Sequence, residues 1–327
     1  MRRTIGLLIL LAAAVLPAAR GTTFTDRTLT RPEGARHYIV LDPGGGTGSP
    51  ARRPLVILLH GHGESAATTL GRDTLGGYRP QDWAKLAERE HVLLIAPEGV
   101  NGSDGKTAWN DCRADAETNP GTDDVGFIAA LIDLAVAQYG ADPQRVYVFG
   151  SSNGGGMAYR LGIELAPRLA AIGAQSALMP ARSRCRAPTQ PLPVFISHGT
   201  ADPIAPYAGG EVHHLLVRGR GSGIGAEAKV ALWRKEDGVP DAAASERLAH
   251  LHADDPTAAV RTVWGAAPAG MQVEFLRIDG GGHIHASRDE TLPWLLGKIL
   301  GPMNHDVTTA DEAWRFFKDK RRAAPPL

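Results

Sequence analysis

Short apolar runs alternate with amphipathic stretches along most of the chain. Residues 37–41, 55–59, 92–96 and 145–149 are rich in branched aliphatic and aromatic side chains, and each run predicts a strand. Residues 55–59 read LVILL without a polar position, so that strand is expected to be covered on both faces. Further strands are predicted at 170–176, 193–197 and 273–278. Helical spacing fills the intervals. Trp83, Leu86 and Ala87 share one face of 82–90, and Phe127, Leu131, Leu134 and Ala135 share one face of 123–139. Thr122 or Asp123 can cap the second of these helices, and Gly140 stops it. Residues 155–165, 227–235 and 309–320 complete the predicted helices, while 43–54 and 99–121 read as loops. Such alternation predicts an α/β fold with a mostly parallel central sheet and helices on both faces. In sheets of that kind the sites lie beyond the carboxyl ends of the strands.

The amino terminus breaks the pattern. Arg2 and Arg3 precede an apolar run at 5–16, Pro17 ends it, and the small residues Ala18, Ala19 and Gly21 follow. That order predicts a secretory signal over 1–21 and a single catalytic domain over 22–327. No later apolar run is long enough for a membrane span, so a secreted or periplasmic protein without a span is expected. The chain has 327 residues, with 35 Lys+Arg against 35 Asp+Glu. Zero formal net charge provides no field to hold nucleic acid. The two cysteines, Cys112 and Cys185, cannot supply a four-thiolate zinc site. Export makes them a candidate disulfide, two unpaired buried thiols being the alternative.

Three predicted strand ends carry chemistry. Gly150-Ser151-Ser152-Asn153-Gly154 follows one strand directly and precedes a helix-compatible stretch, the setting in which G-x-S-x-G presents its central serine as a nucleophile. Such a serine needs a base and an acid that orients the base, in the chain order Ser, acid, His. Asp202, just past the strand at 193–197, suits the acid, with Asp279 as its rival. His283 follows three glycines that predict a mobile loop able to reach the serine, and His285 is the rival base. The third strand end reads His60-Gly61-His62-Gly63-Glu64. Its position fits one oxyanion-hole amide, assigned to His62, with the second from Asn153, the residue after the nucleophile. The same histidines, with Glu64, His283 and His285, also permit a metallo-hydrolase reading, which must treat the serine turn as an accident. His213, His214, His250 and His252 read as surface residues.

With these residues placed, the chain resembles the secreted α/β-hydrolase esterases described as polyhydroxybutyrate depolymerase-like and feruloyl esterase-like. The likeness rests on LHGHGES, WNDC at 109–112, DDVGFIAALID at 123–133, GSSNGGGMAYRL, HGTADPIAPYAGG, GGGH and DEAWRFFKDK, in that order. The resemblance implies an α/β-hydrolase fold and a serine esterase with Ser152, Asp202 and His283 as triad. It further implies a Cys112–Cys185 pair and neither metal nor organic cofactor. It departs from the family where Ile284-His285-Ala286 stands in place of a Thr-Trp-Pro sequence. The expected partner is a small or oligomeric ester. His285 is a candidate substrate contact, and Trp109 and Trp294 are each either an aromatic wall of the substrate site or core packing. A serine peptidase and a non-catalytic ligand binder on the same fold are the alternatives.

Overall fold

The computed structural model describes residues 22–44, 52–213, 219–265 and 268–322. The predicted signal at 1–21, most of the predicted loop at 43–54 and His214 lie outside them. In chain order the strands begin with β1 (Thr23–Arg31), β2 (Gly34–Asp42), β3 (Arg53–Leu59), β4 (Leu93–Pro97), β5 (Val100–Asn101), β6 (Thr107–Ala108), β7 (Ala141–Ser151) and β8 (Ala171–Gln175). They continue with β9 (Met179–Pro180), β10 (Val194–Gly199), β11 (Gly209–Glu211), β12 (Ser222–Ile224), β13 (Ala243–Arg247), β14 (Ala258–Trp264) and β15 (Val273–Asp279). The helices are α1 (Ala66–Thr69), α2 (Asp82–Glu90), α3 (Asp124–Gln138), α4 (Asn153–Glu164), α5 (Ala226–Glu236), α6 (Trp294–Leu300) and α7 (Thr309–Phe317).

Ten strands form one sheet in the order β1-β2-β4-β3-β7-β8-β10-β15-β14-β13. The interior from β4 to β15 is parallel. The pairs β1–β2, β2–β4, β15–β14 and β14–β13 are antiparallel. The pleat divides the core in two. Leu55, Ile57, Val146 and Val148 face α3, α4 and α5, where Phe127, Leu131, Met157 and Trp233 meet them. Val56, Leu58, Tyr147 and Phe149 face α2 and α7, packing with Leu86, Trp314 and Phe317. The Tyr147 ring stacks on Phe317 at 5.0 Å, and its hydroxyl donates to the Lys320 carbonyl at 2.8 Å, which fastens the carboxyl-terminal helix to the sheet centre.

Several elements departed from the sequence pattern. β1 reads TFTDRTLTR and β13 reads AASER, both largely exposed edge strands without apolar alternation. Inside the predicted loop at 99–121, β5 and β6 form a short hairpin. α6 was not predicted, and none of its residues is fully buried: Trp294 is 75% exposed and Leu295 64%. Trp294 is therefore not core packing.

Cys112 and Cys185 are joined by a disulfide with their Cα atoms 5.6 Å apart. Antiparallel backbone bonds flank it, from Ala114 N to Arg182 O and from Arg184 N to Cys112 O, each 2.9 Å. Closing a loop of 73 residues removes chain entropy worth about 4 kcal/mol from the unfolded state.

Candidate active site

Ser152 sits where β7 ends and α4 begins, at φ 53° and ψ −119°. A side chain in that left-handed region is strained, and the turn holds it by the bond from Ser152 N to Gln175 O at 2.9 Å and by the first bond of α4, from Gly156 N to Ser152 O at 3.0 Å. Gly154 makes the turn possible. A Cβ there would strike the carbonyls of Leu59 and His60 at the end of β3, so only glycine lets α4 pass this close to the neighbouring strand.

His283 Nε2 lies 3.0 Å from Ser152 Oγ, and His283 Nδ1 lies 2.8 Å from Asp202 Oδ2. The Asp202 carboxylate is itself fixed, because its Oδ1 accepts from the amides of Ile204 at 2.9 Å and Ala205 at 2.8 Å. The loop that carries His283 is pinned rather than mobile. Gly282 N donates to Pro302 O at 2.8 Å and His283 N to Leu300 O at 2.6 Å. A Cβ at Gly282 would collide with Leu300 and Gly301, so this glycine serves close approach to the end of α6. The rival acid Asp279 pairs with Arg277 at 2.7 Å, and the rival base His285 bonds elsewhere.

Electrostatics bind the pair. Burial alone would raise the Asp202 carboxyl, but the His283 ring beside it, His198 and the Ile204 amide outweigh burial and hold it below the ordinary carboxylate value. Burial alone would lower His283, but the Asp202 charge and hydrogen bond, with Glu64 adding to them, hold it above the ordinary histidine value.

The amides expected to form the oxyanion hole are both available. Gly61 N donates to Glu64 Oε2 at 3.0 Å and Gly63 N to Thr107 O at 2.8 Å, whereas the His62 amide between them has no hydrogen-bond acceptor among the described residues. Asn153 is the first residue of α4, where a helical N–H has no partner inside the helix. The Asn153 side chain is locked beneath the site, accepting from Trp109 N at 2.7 Å and donating to Asp111 Oδ2 at 2.7 Å.

Trp109 sits in the core rather than at the cavity wall. Its indole is fully buried, donates from Nε1 to His60 O at 2.9 Å, and lines no part of the catalytic cavity. It supports the floor of the site by bracing the His60 and Asn153 segments. His285 does line the cavity. The Tyr78 hydroxyl donates to Glu290 Oε2, and His285 Nε2 lies 2.6 Å from that hydroxyl and 3.1 Å from the same carboxylate.

The metal-ligating reading is not supported by placement. His60 spends Nε2 on the Gly99 amide at 2.9 Å and sets Nδ1 2.7 Å from the Gly61 carbonyl, while His62 pairs with Asp104 at 2.8 Å. Among the described residues, the ligand atoms that converge belong to Asp82, His285 and Glu290, or to Glu164 with the disulfide cysteines.

Two groups behind the acid were missed from sequence. Lys229 is fully buried and donates to the Ala177 carbonyl and to His198 Nδ1, the latter at 3.1 Å. Burial pushes this ammonium down to about 7. With Nδ1 accepting, His198 carries its proton on Nε2, 2.8 Å from Ala205 O and 3.4 Å from Asp202 Oδ2. Burial, then Lys229, pushes His198 down to about 3, so it stays neutral. The signal was present in the sequence: Lys229 falls on the same helical face as Ala226, Val230 and Trp233.

The serine opens onto a cavity of about 700 Å³. One section of its wall is apolar, with Trp83, Phe149, Leu296 and Ile299, and another is cationic, with Lys106 and Arg220.

Residues 47–218 match the phospholipase/carboxylesterase family. A protein of Nocardia uniformis subsp. tsuyamanensis named as an esterase, NocK, is 28% identical over 92% of this chain and 84% of its own length. Feruloyl esterase B of Piromyces equi is 30% identical over 79% of this chain but only 44% of its own. The solved acetyl xylan esterase from Aspergillus awamori superposes with a TM-score of 0.56 over 91% of this chain and 99% of its own, at 15% identity. That last likeness is one of fold, and the fold is the α/β hydrolase.

Proposed function

We propose, from the premise that the chain belongs to the phospholipase/carboxylesterase family, that it is an exported serine esterase acting through Ser152, His283 and Asp202. The observation that carries this reading is the unbroken run of contacts from Asp202 through His283 to a serine held on a strained turn. His283 Nε2 takes the proton as Ser152 Oγ attacks the ester carbonyl, and Asp202 stabilises the imidazolium that results. The amides of His62 and Asn153 receive the negative oxygen of the tetrahedral intermediate. His283 returns the proton to the departing alcohol, then activates the water that releases the acid from Ser152.

Export is supported by the Arg2–Gly21 sequence pattern and by the disulfide. The substrate reading, a feruloyl or hydroxybutyrate-type ester, is supported by the named feruloyl esterase relative and by the apolar, aromatic section of the cavity wall. A fluorophosphonate probe tests the mechanism. Folded wild-type protein is expected to be labelled once, on the tryptic peptide that contains Ser152, with or without a chelator present. Folded protein that takes no label would instead point to ligand binding without turnover.

A further inference from the structure

Arg220 is 4% exposed, yet it lines the catalytic cavity. Its Nη1 donates to two neutral oxygens, Thr118 Oγ1 at 2.9 Å and Asn119 Oδ1 at 3.4 Å. Among the described residues no carboxylate lies within ion-pair distance of it, although a buried guanidinium ordinarily takes one. By contrast Arg113, a few residues before Thr118, is paired with Asp111 at 2.7 Å. None of the remaining Arg220 nitrogens is a buried atom without a partner. The guanidinium is thus open to the cavity that it lines.

A second cation stands nearby. Lys106, on the turn between β5 and β6, is exposed, lines the same cavity and forms no ion pair among the described residues. Both cations act on His62: burial and then Arg220 and Lys106 push that ring down to about 4, against the pull of Asp104. The charges therefore gather around the segment that carries one oxyanion amide. Of the carboxylates in the wall, Asp82 has Glu290, His285 and Lys85 as its charged neighbours, and Glu64, on the same segment as His62, accepts from the Gly61 amide and faces His283 and His285. Asp104 is held by His62 and the Lys106 amide, the latter 3.1 Å away. Arg220 also feels Asp104 and Asp111, the latter paired with Arg113, so the wall near His62 holds two cations, Arg220 and Lys106, against the one carboxylate of Asp104, while the aromatic section suits an uncharged acyl group.

From this arrangement we infer that Arg220 and Lys106 form an anion subsite that selects esters whose alcohol half bears a carboxylate. The guanidinium matches a carboxylate in shape and charge, and the ammonium adds a second charge at the mouth. The inference rests on the serine esterase reading, because only a fixed acyl position assigns the carboxylate to the alcohol side.

The test compares two substrates with the same acyl group and matched phenols, the butanoyl esters of 4-hydroxyphenylacetate and of 4-hydroxyphenylacetamide. Wild-type protein is expected to favour the carboxylate by about tenfold in kcat/KM, chiefly through KM, with the preference shrinking as salt rises. In Arg220→Gln the ratio should fall towards one, Arg220→Lys should restore part of it, and Lys106→Gln, at an exposed position, should reduce it. Equal use of both esters by wild-type protein, or a ratio that survives both glutamine variants, would overturn the subsite. So would a preference seen only for a phosphate-bearing analogue. If neither ester is turned over, the serine esterase reading fails instead, so the two failures are told apart.

Discussion

Ser152→Ala is expected to lower ester hydrolysis by about 10⁶ in kcat while the protein stays folded. The size follows from the way the triad works. His283 and Asp202 have no nucleophile to activate once Oγ is gone, and what survives is the modest acceleration from the oxyanion amides and substrate binding. The fold should tolerate the change, because Ser152 makes its structural bonds through its backbone, to Gln175 and Gly156, and its side chain caps nothing. Turnover of a butanoyl nitrophenyl ester, read beside circular dichroism and a melting curve, checks both halves. Retained turnover in a folded variant would remove Ser152 from the mechanism.

Asp202→Asn is the more informative change. An asparagine would keep the shape but could present an N–H towards His283 Nδ1, which turns the imidazole to the tautomer with its proton facing Ser152. That ring cannot accept the serine proton, and a loss of about 10⁴ in kcat is expected. The pH profile adds an independent reading. In the wild type, Asp202 holds His283 above the ordinary histidine value, so the base is protonated, and activity lost, as pH falls through that raised value. Without the carboxylate charge the acid limb of kcat/KM should move to lower pH in the residual activity. An acid limb that stays where it is would assign that ionisation to a group other than His283.

Much of this site was legible in the sequence because its chemistry follows strand ends. Residues 55–59, 145–149, 193–197 and 273–278 are apolar enough to mark buried strands, and the next few residues after each carry the oxyanion segment, Ser152, Asp202 and His283. The helix Asp82–Glu90 was read with its observed bounds, since a single apolar face set it. Elements without that contrast were not found. β1 and β13 pair at the sheet edges through their backbones, and their polar side chains leave no periodic trace. Trp109 was left open between core packing and a substrate wall for a related reason. A tryptophan in a long polar stretch has no apolar neighbours in sequence to show which way it turns, but the stretch folds back beneath β3 and buries it. The Tyr78–His285–Glu290 cluster joins residues as far as 212 positions apart, a contact that no local pattern carries.

α6 leaves one face of itself uncovered and turns another to the catalytic cavity, and that has an optical consequence. The chain holds six tryptophans. Trp109, Trp233, Trp264 and Trp314 are buried and Trp83 is half-buried, whereas Trp294 stands 75% exposed on the helix whose Leu296, Ile299 and Leu300 line the cavity. Its fluorescence should be the reddest component of the emission and the first extinguished by iodide. A Trp294→Phe variant should lose that component, and ligands that fill the cavity should change how readily the quencher reaches the indole. The protein thus carries its own dye at the rim of the site, and occupancy can be followed without any turnover.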